Sequence, residues 1–213
     1  MKILPRALVA RDQAASPFSG ILLRLCEATA AHAAALVDAE GETVDYAGRV
    51  APFDIRVAAA EWRLALSLLS QSASPWADTH EMVVRSASHS FLVWLLSDGY
   101  ALVLILPRRA FRASRRALAE AVADLTREAG LSCPSDKARL PWVRVEVQTE
   151  RGEPRRPLAL WQRGAWCAVA ILGRFQSSDL EHGEVGFLAQ LQSGAELLLV
   201  REPRGIWFAS DPA

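Results

Sequence analysis

The chain has 213 residues, 51% hydrophobic, 23% charged and 8% aromatic, with 24 basic side chains balancing 24 acidic ones. That apolar content excludes a disordered chain, and zero formal net charge removes any bulk field toward nucleic acid or anionic lipid, leaving only local patches. No apolar run reaches the roughly 20 residues that span a bilayer, Pro5, Arg6 and Arg11 interrupt any secretory leader, and Cys26, Cys133 and Cys167 are too scattered for a disulfide framework. A cytoplasmic globular protein is expected. Lys2 and Lys137 are the only lysines, and with abundant alanine this reflects a GC-rich bacterial coding bias rather than a function.

Residues 1–16 form an N-terminal extension. Ser16 before Pro17 is a helix cap followed by a first-turn proline, and the spacing of Ile21, Leu22, Leu25, Ala28 and Thr29 predicts a helix over residues 17–33. Ala34–Val37, the turn Asp38-Ala39-Glu40-Gly41 and Thr43–Tyr46 read as a hairpin. Pro52 and Asp54 open a second helix that runs to about residue 72. Met82–Val84, Phe91–Leu96 and Tyr100–Leu106 are further strands, the last two joined by Asp98-Gly99, a strong hairpin signal. A helix over residues 110–129 ends at Gly130.

The fold class is therefore α/β (α+β), in the order α-β-β-α-β-β-β-α over residues 17–131. Tight hairpins make the five-stranded sheet antiparallel, and strands so evenly apolar need helices on both faces. Residues 132–140, with Ser132-Cys133-Pro134-Ser135, form a linker. Residues 141–213 alternate short β-rich runs with Arg-Gly and Ser-Gly turns, which predicts a small all-β, barrel-like domain of five or six strands.

Two segments carry a family likeness. Ala35-Leu36-Val37-Asp38-Ala39-Glu40-Gly41 and Ser97-Asp98-Gly99-Tyr100-Ala101-Leu102, placed in this element order, resemble the Roadblock/LC7 family across residues 17–131. The resemblance implies a homodimer that binds a small Ras-like GTPase as activator or scaffold. It also implies that the second helices pair across the dimer axis and that the strand near residues 81–86 extends the sheet into the partner. The C-terminal stretch Trp161-Gln162-Arg163-Gly164-Ala165-Trp166 with Gly173-Arg174-Phe175 weakly resembles a bacterial β-domain of unknown function.

The second helix supports self-association independently of that likeness. Ile55, Ala58, Ala59, Trp62, Ala65, Leu66 and Leu69 make one apolar stripe, and Val57, Leu64 and Leu68 a second. A helix that only covers a sheet needs one apolar face. The excess implies a further contact: a dimer, or cover by residues 1–15 or the C-terminal domain. The expected dimer residues are Ile55, Ala58, Ala59, Trp62, Leu66 and Leu69, with Val83 and Val84 on the following strand. Between the stripes runs a polar seam, Arg56, Ala60, Arg63, Ser67 and Gln71, which the resemblance makes the candidate GTPase contact. Arg63 is the one candidate for an arginine finger.

No catalytic set is evident. His32, His80, His89 and His182 lack metal-site spacing, and neither C-x-x-C nor H-E-x-x-H occurs. With no phosphate loop and no G-x-G-x-x-G, no cofactor is expected. Ser88-His89-Ser90 has no nucleophile elbow beside it and fits a turn between strands. Arg108, Arg109, Arg112, Arg115 and Arg116 form the densest charge cluster, of which Arg108, Arg112, Arg115 and Arg116 read as one helix-face patch for an acidic partner, a phosphate backbone or an anionic lipid surface, or as a solvated, ion-paired face. Trp142, Trp161, Trp166, Phe175 and Trp207 read as barrel core before binding groove, and basic residues do not outnumber acidic ones there, which disfavours a nucleic-acid platform. The reading is a non-enzymatic homodimeric regulator of a small Ras-like GTPase. Its alternative is a structural scaffold subunit that pairs with other Roadblock-type or polarity proteins regardless of nucleotide.

Overall fold

The computed structural model describes residues 11–71, 79–108, 110, 113–132, 142–152, 156–176, 180 and 183–210. The Ser16 hydroxyl accepts the Phe18 N–H at 3.2 Å and opens α1 (Pro17–Thr29). This helix stops before the predicted residue 33, because Ala30 turns left-handed (φ 54°) and the Thr29 hydroxyl donates to Leu25 O at 2.7 Å. Ala33 then begins a strand. The remaining elements of this unit are β1 (Ala33–Val37), β2 (Thr43–Gly48), α2 (Pro52–Ser70), β3 (Glu81–Arg85), β4 (His89–Leu95), β5 (Ala101–Pro107) and α3 (Arg115–Glu128). α3 begins later than the predicted residue 110, where the Ser114 side chain caps the Ala117 N–H at 3.0 Å.

The five strands form one antiparallel sheet in the order β2-β1-β5-β4-β3. Alternation sorts its side chains cleanly. Ala33, Ala35, Val37, Val103 and Ile105 pack with Ile55, Ala59 and Leu66 of α2. Ala34, Leu36, Leu102 and Leu104 point the other way, where α1 and α3 pack together, and are completely buried. The central strands are apolar throughout because both of their faces are covered.

The two motif turns are built by local chemistry. Asp38 Oδ1 accepts the N–H groups of Glu40 (3.1 Å) and Glu42 (2.8 Å), while Gly41 takes φ 91°. Asp98 (φ 55°) and Gly99 (φ 79°) are both left-handed, the geometry of a tight primed hairpin turn.

The chain divides into two compact units, Met1–Ser135 and Asp136–Ala213. The second holds β6 (Trp142–Val145), β7 (Val147–Thr149), β8 (Pro157–Gln162), β9 (Ala165–Phe175), β10 (Val185–Leu191), β11 (Glu196–Arg201) and β12 (Trp207–Ser210), in the order β6-β12-β11-β10-β9-β8-β7. β6 and β7 lie at opposite ends of that order, yet only Glu146 separates them, and its carbonyl accepts the Trp161 N–H at 2.9 Å. The sheet therefore curls into a nearly closed barrel around Leu160, Phe187, Leu197, Leu199 and Trp207. The alternating run Val143-Arg144-Val145-Glu146-Val147 is split at Glu146, its first part pairing with β12 and its second with β8. That division yields seven strands instead of five or six.

Candidate interaction surface

α2 presents two apolar sides with different fates. Ile55, Ala58, Ala59 and Leu66, expected at a dimer contact, lie in the chain's own core, between 0% and 8% exposed. The physical reason is their register: they sit over β1 and β5, so the sheet claims them. Trp62 is half-buried against Phe91, with ring centroids 5.1 Å apart. Val84 is partly buried in the same cluster. The second stripe stays exposed, with Val57 39%, Leu64 60% and Leu68 63%, and Leu69, from the first stripe, is 36% exposed. Phe53, at 71%, joins the second stripe. Phe53 lies in the first turn, beside the Pro52 and Asp54 start signals, outside both stripes expected from the helical pattern. Val83 is 47% exposed on β3, an edge strand of the sheet.

The polar seam is not a uniform exposed surface. Ala60 and Ser67 are half-buried, and Gln71 is exposed with its amide donating to Ser67 Oγ at 2.9 Å. Arg56 is engaged by Asp12, which accepts from both terminal guanidinium nitrogens, and Tyr46 donates its hydroxyl to the same carboxylate at 2.6 Å. The hydrogen bond from Arg56, followed by that from Tyr46, holds the Asp12 carboxyl below its ordinary value.

Arg63 departs furthest from the sequence reading. It is 8% exposed and turns inward, donating Nε–H to Gly99 O at 2.9 Å and a weaker bond to Ala39 O at 3.5 Å. One α2 arginine thus ties together the two motif turns. With its donors directed at backbone carbonyls, Arg63 is placed as a structural clamp and not as an exposed arginine finger.

A buried carboxylate beneath the N-terminal segment escaped the sequence reading. Asp45 on β2 is completely buried and receives Arg11, Ser16, the Gln13 amide (2.9 Å) and its neighbour's N–H from Tyr46 (2.7 Å). Burial pushes its carboxyl upward, but the hydrogen bonds from Ser16, Arg11 and Tyr46 outweigh it, and the net shift is downward. Arg11 also donates to the carbonyl of Tyr46 and lies over the Tyr46 ring, 4.9 Å from its centroid. The available signal was an Asp inside the apolar run Thr43-Val44-Asp45-Tyr46-Ala47, a residue that a buried strand tolerates only with partners.

The arginine cluster does not form one helix face, because α3 begins only at Arg115. Arg108 is exposed beyond β5, Arg115 pairs with Glu81 at 2.9 Å, and Arg116 is 6% exposed. Arg109 and Arg112 lie outside the described residues. Among the described residues, no three His, Cys, Asp or Glu side chains gather as metal ligands, and no helix is long and apolar enough to cross a membrane. His89 begins β4 after a Ser86–His89 turn, its Nδ1 3.0 Å from Ser88 Oγ, and burial lowers its pKa. In the barrel, Trp207 joins the core, whereas Trp161 and Trp166 meet edge-on at 5.5 Å and remain 42% exposed. Their positions at a hairpin end, directly opposed and on the outer face, keep them out of the interior.

The first unit is a five-stranded antiparallel sheet between helices. Among solved structures, the chain is similar to Myxococcus xanthus MglB at 18% identity and a TM-score of 0.48, covering 55% of this chain and 98% of that one. It is similar to a Roadblock/LC7 domain from Streptomyces avermitilis at 20% identity and a TM-score of 0.43, over 54% and 96% of the two chains. The gliding protein MglB from Thermus thermophilus shares 19% identity at a TM-score of 0.43, over 55% and 94%. No family model matches the sequence, and no curated protein matches it either.

Proposed function

We propose that this chain is a homodimeric regulator or adaptor, without chemistry of its own, that binds a small Ras-like GTPase across paired α2 helices. The observation that carries the self-association is the uncovered side of α2, formed by Phe53, Val57, Leu64 and Leu68, while the opposite side packs on the sheet. Exposed leucines on one stripe of a helix are the usual signature of an interaction surface. Among the described residues, β3 has an edge that no strand occupies, so a second copy can pair there while its α2 covers the stripe. The GTPase enters through the resemblance of the two turn motifs to Roadblock/LC7 domains. Its contact is Arg56, Ala60, Ser67 and Gln71 along the paired helices, with Arg63 acting from beneath to hold α2 against the turns.

The test is a pulldown with purified full-length protein from cytoplasm loaded with GTP or GDP, after light scattering has established the mass. The bait is compared with an Ala60→Arg/Gln71→Arg variant of unchanged mass. Retention of a Ras-like GTPase in one nucleotide state, lost in the variant, supports the regulator. Capture of Roadblock-type or polarity proteins that ignores both nucleotide and substitution replaces it with the scaffold. A monomeric wild type refutes both.

A further inference from the structure

The second unit contains a cavity of about 330 Å³ at one end of the barrel, beside the break between β6 and β7. Its walls include Val145, Val147 and Trp207, with Arg144, Glu146 and Arg201 as the charged members. Arg201 is the informative one. It stands opposite Trp207, which stands opposite Val145, so all three side chains lie on one face of the sheet. Trp207 and Val145 belong to the barrel core, and the Arg201 guanidinium therefore points inward at the cavity mouth.

Its Nε is buried without a hydrogen-bond partner. An inward guanidinium with an unmatched donor is costly unless an acceptor reaches it. Glu202, the next residue, is buried but alternates to the other side of the strand. Arg144 and Glu146 are exposed at the rim. One acidic and two basic side chains leave the lining with a single positive charge, matched by a monoanion.

We propose that this cavity binds a carboxylate attached to an apolar group. The carboxylate accepts from Arg201, whose planar fork suits its two oxygens, and the apolar portion lies against Trp207, Val145 and Val147. Glu146 at the rim selects against ligands of higher negative charge. A free organic acid and the C-terminal residue of a polypeptide share this chemistry.

The experiment is a titration of the isotope-labelled full-length protein followed by NMR, with four probes: 3-phenylpropionate, acetyl-Ala-Ala-Phe with a free carboxyl group, the same peptide as its C-terminal amide, and inorganic phosphate. Both carboxylates should shift Val145, Val147, the Trp207 indole and the Arg201 Nε–H, and the amide should not. Tighter binding of the peptide assigns the polypeptide source, and equal or tighter binding of phenylpropionate the free acid. Arg201→Gln should weaken binding at least tenfold. Glu146→Gln, which removes the opposing charge, should tighten it about threefold. Silence of these resonances at millimolar carboxylate, binding that survives Arg201→Gln, or phosphate binding as tight as carboxylate overturns the proposal. Should Arg201→Gln disturb the fold, failure of Glu146→Gln to tighten binding overturns it alone.

Discussion

Replacing Leu64 and Leu68 together by glutamate separates self-association from folding. The two side chains are 60% and 63% exposed within one chain, so in the monomer their replacement costs little, within about 0.5 kcal/mol each. A partner that covers them recovers the exposed share of a leucine's transfer free energy, about 1–2 kcal/mol per side chain. Two leucines on each of two chains sum to about 4–8 kcal/mol, before the cost of placing four carboxylates in the contact. The dimer constant should weaken by three orders of magnitude or more. Light scattering and sedimentation at micromolar concentration should then give the single-chain mass, with far-ultraviolet dichroism unchanged. Leu66→Ala is the contrast. Leu66 is completely buried beneath the same helix, so it should cost about 2–5 kcal/mol of folding stability without selectively dissociating the dimer. A double glutamate variant that keeps the wild-type mass refutes the α2 contact. One that unfolds refutes the placement of Leu64 and Leu68 outside the core.

Arg63→Gln should lower folding stability by about 1–3 kcal/mol in urea melts, because Gly99 O and Ala39 O lose their shared donor; an unchanged midpoint would free Arg63 from the clamp role. Asp45 has a folded-state pKa below its unfolded value of about 3.9, so its stabilisation is complete above that pH and is lost as pH falls through the depressed folded value. Urea midpoints taken from about pH 6 down to pH 2 should therefore fall more steeply in wild type than in Asp45→Asn. Gly48→Ala should cost more than about 2 kcal/mol, since φ is +129° and the new Cβ would sit 2.4 Å from both Ala33 Cα and His32 O. A thermal midpoint within a degree of wild type would contradict that backbone geometry.

The five strands of the first unit are legible in the sequence because their signals are local: apolar runs bounded by Asp-Ala-Glu-Gly and Asp-Gly turns whose side chains and left-handed residues define them. Helix ends are less so. α1 stops at an alanine in the left-handed region, with no glycine to announce it, and α3 waits for Ser114 despite an unbroken helical composition before it. The two stripes of α2 are equally visible as apolar residues, but composition cannot say which faces the sheet, since that depends on how the helix is rotated over β1 and β5. Ile55, Ala58, Ala59 and Leu66 of the expected contact therefore fall in the core, while Leu69 and Val83 are exposed. Arg63 misleads for a related reason: helical spacing groups it with Arg56, yet its long stem reaches inward to carbonyls distant in sequence. Asp45 and Arg11 are separated by more than thirty positions, and only the tertiary structure brings them together.

The two edges of the sheet are treated differently, and the difference gives the surface a direction. On β2, Arg11 and Gln13 donate to the outward carbonyls of Tyr46 and Val44, while Asp12 donates its N–H to the Tyr46 hydroxyl at 3.1 Å. These contacts use up the acceptors that an incoming strand would need. Asp45 and Ser16 anchor the segment that supplies them. On β3, no strand among the described residues pairs on the side away from β4, and Val83 is exposed on the sheet face opposite α2. An open edge is an aggregation hazard for a monomer; in the proposed dimer two copies would close it about a twofold axis. Capping β2 prevents the same pairing from repeating at the far side. In the proposed dimer the N-terminal strap and the α2 stripe would serve one end, a sheet that joins at β3 and stops at β2.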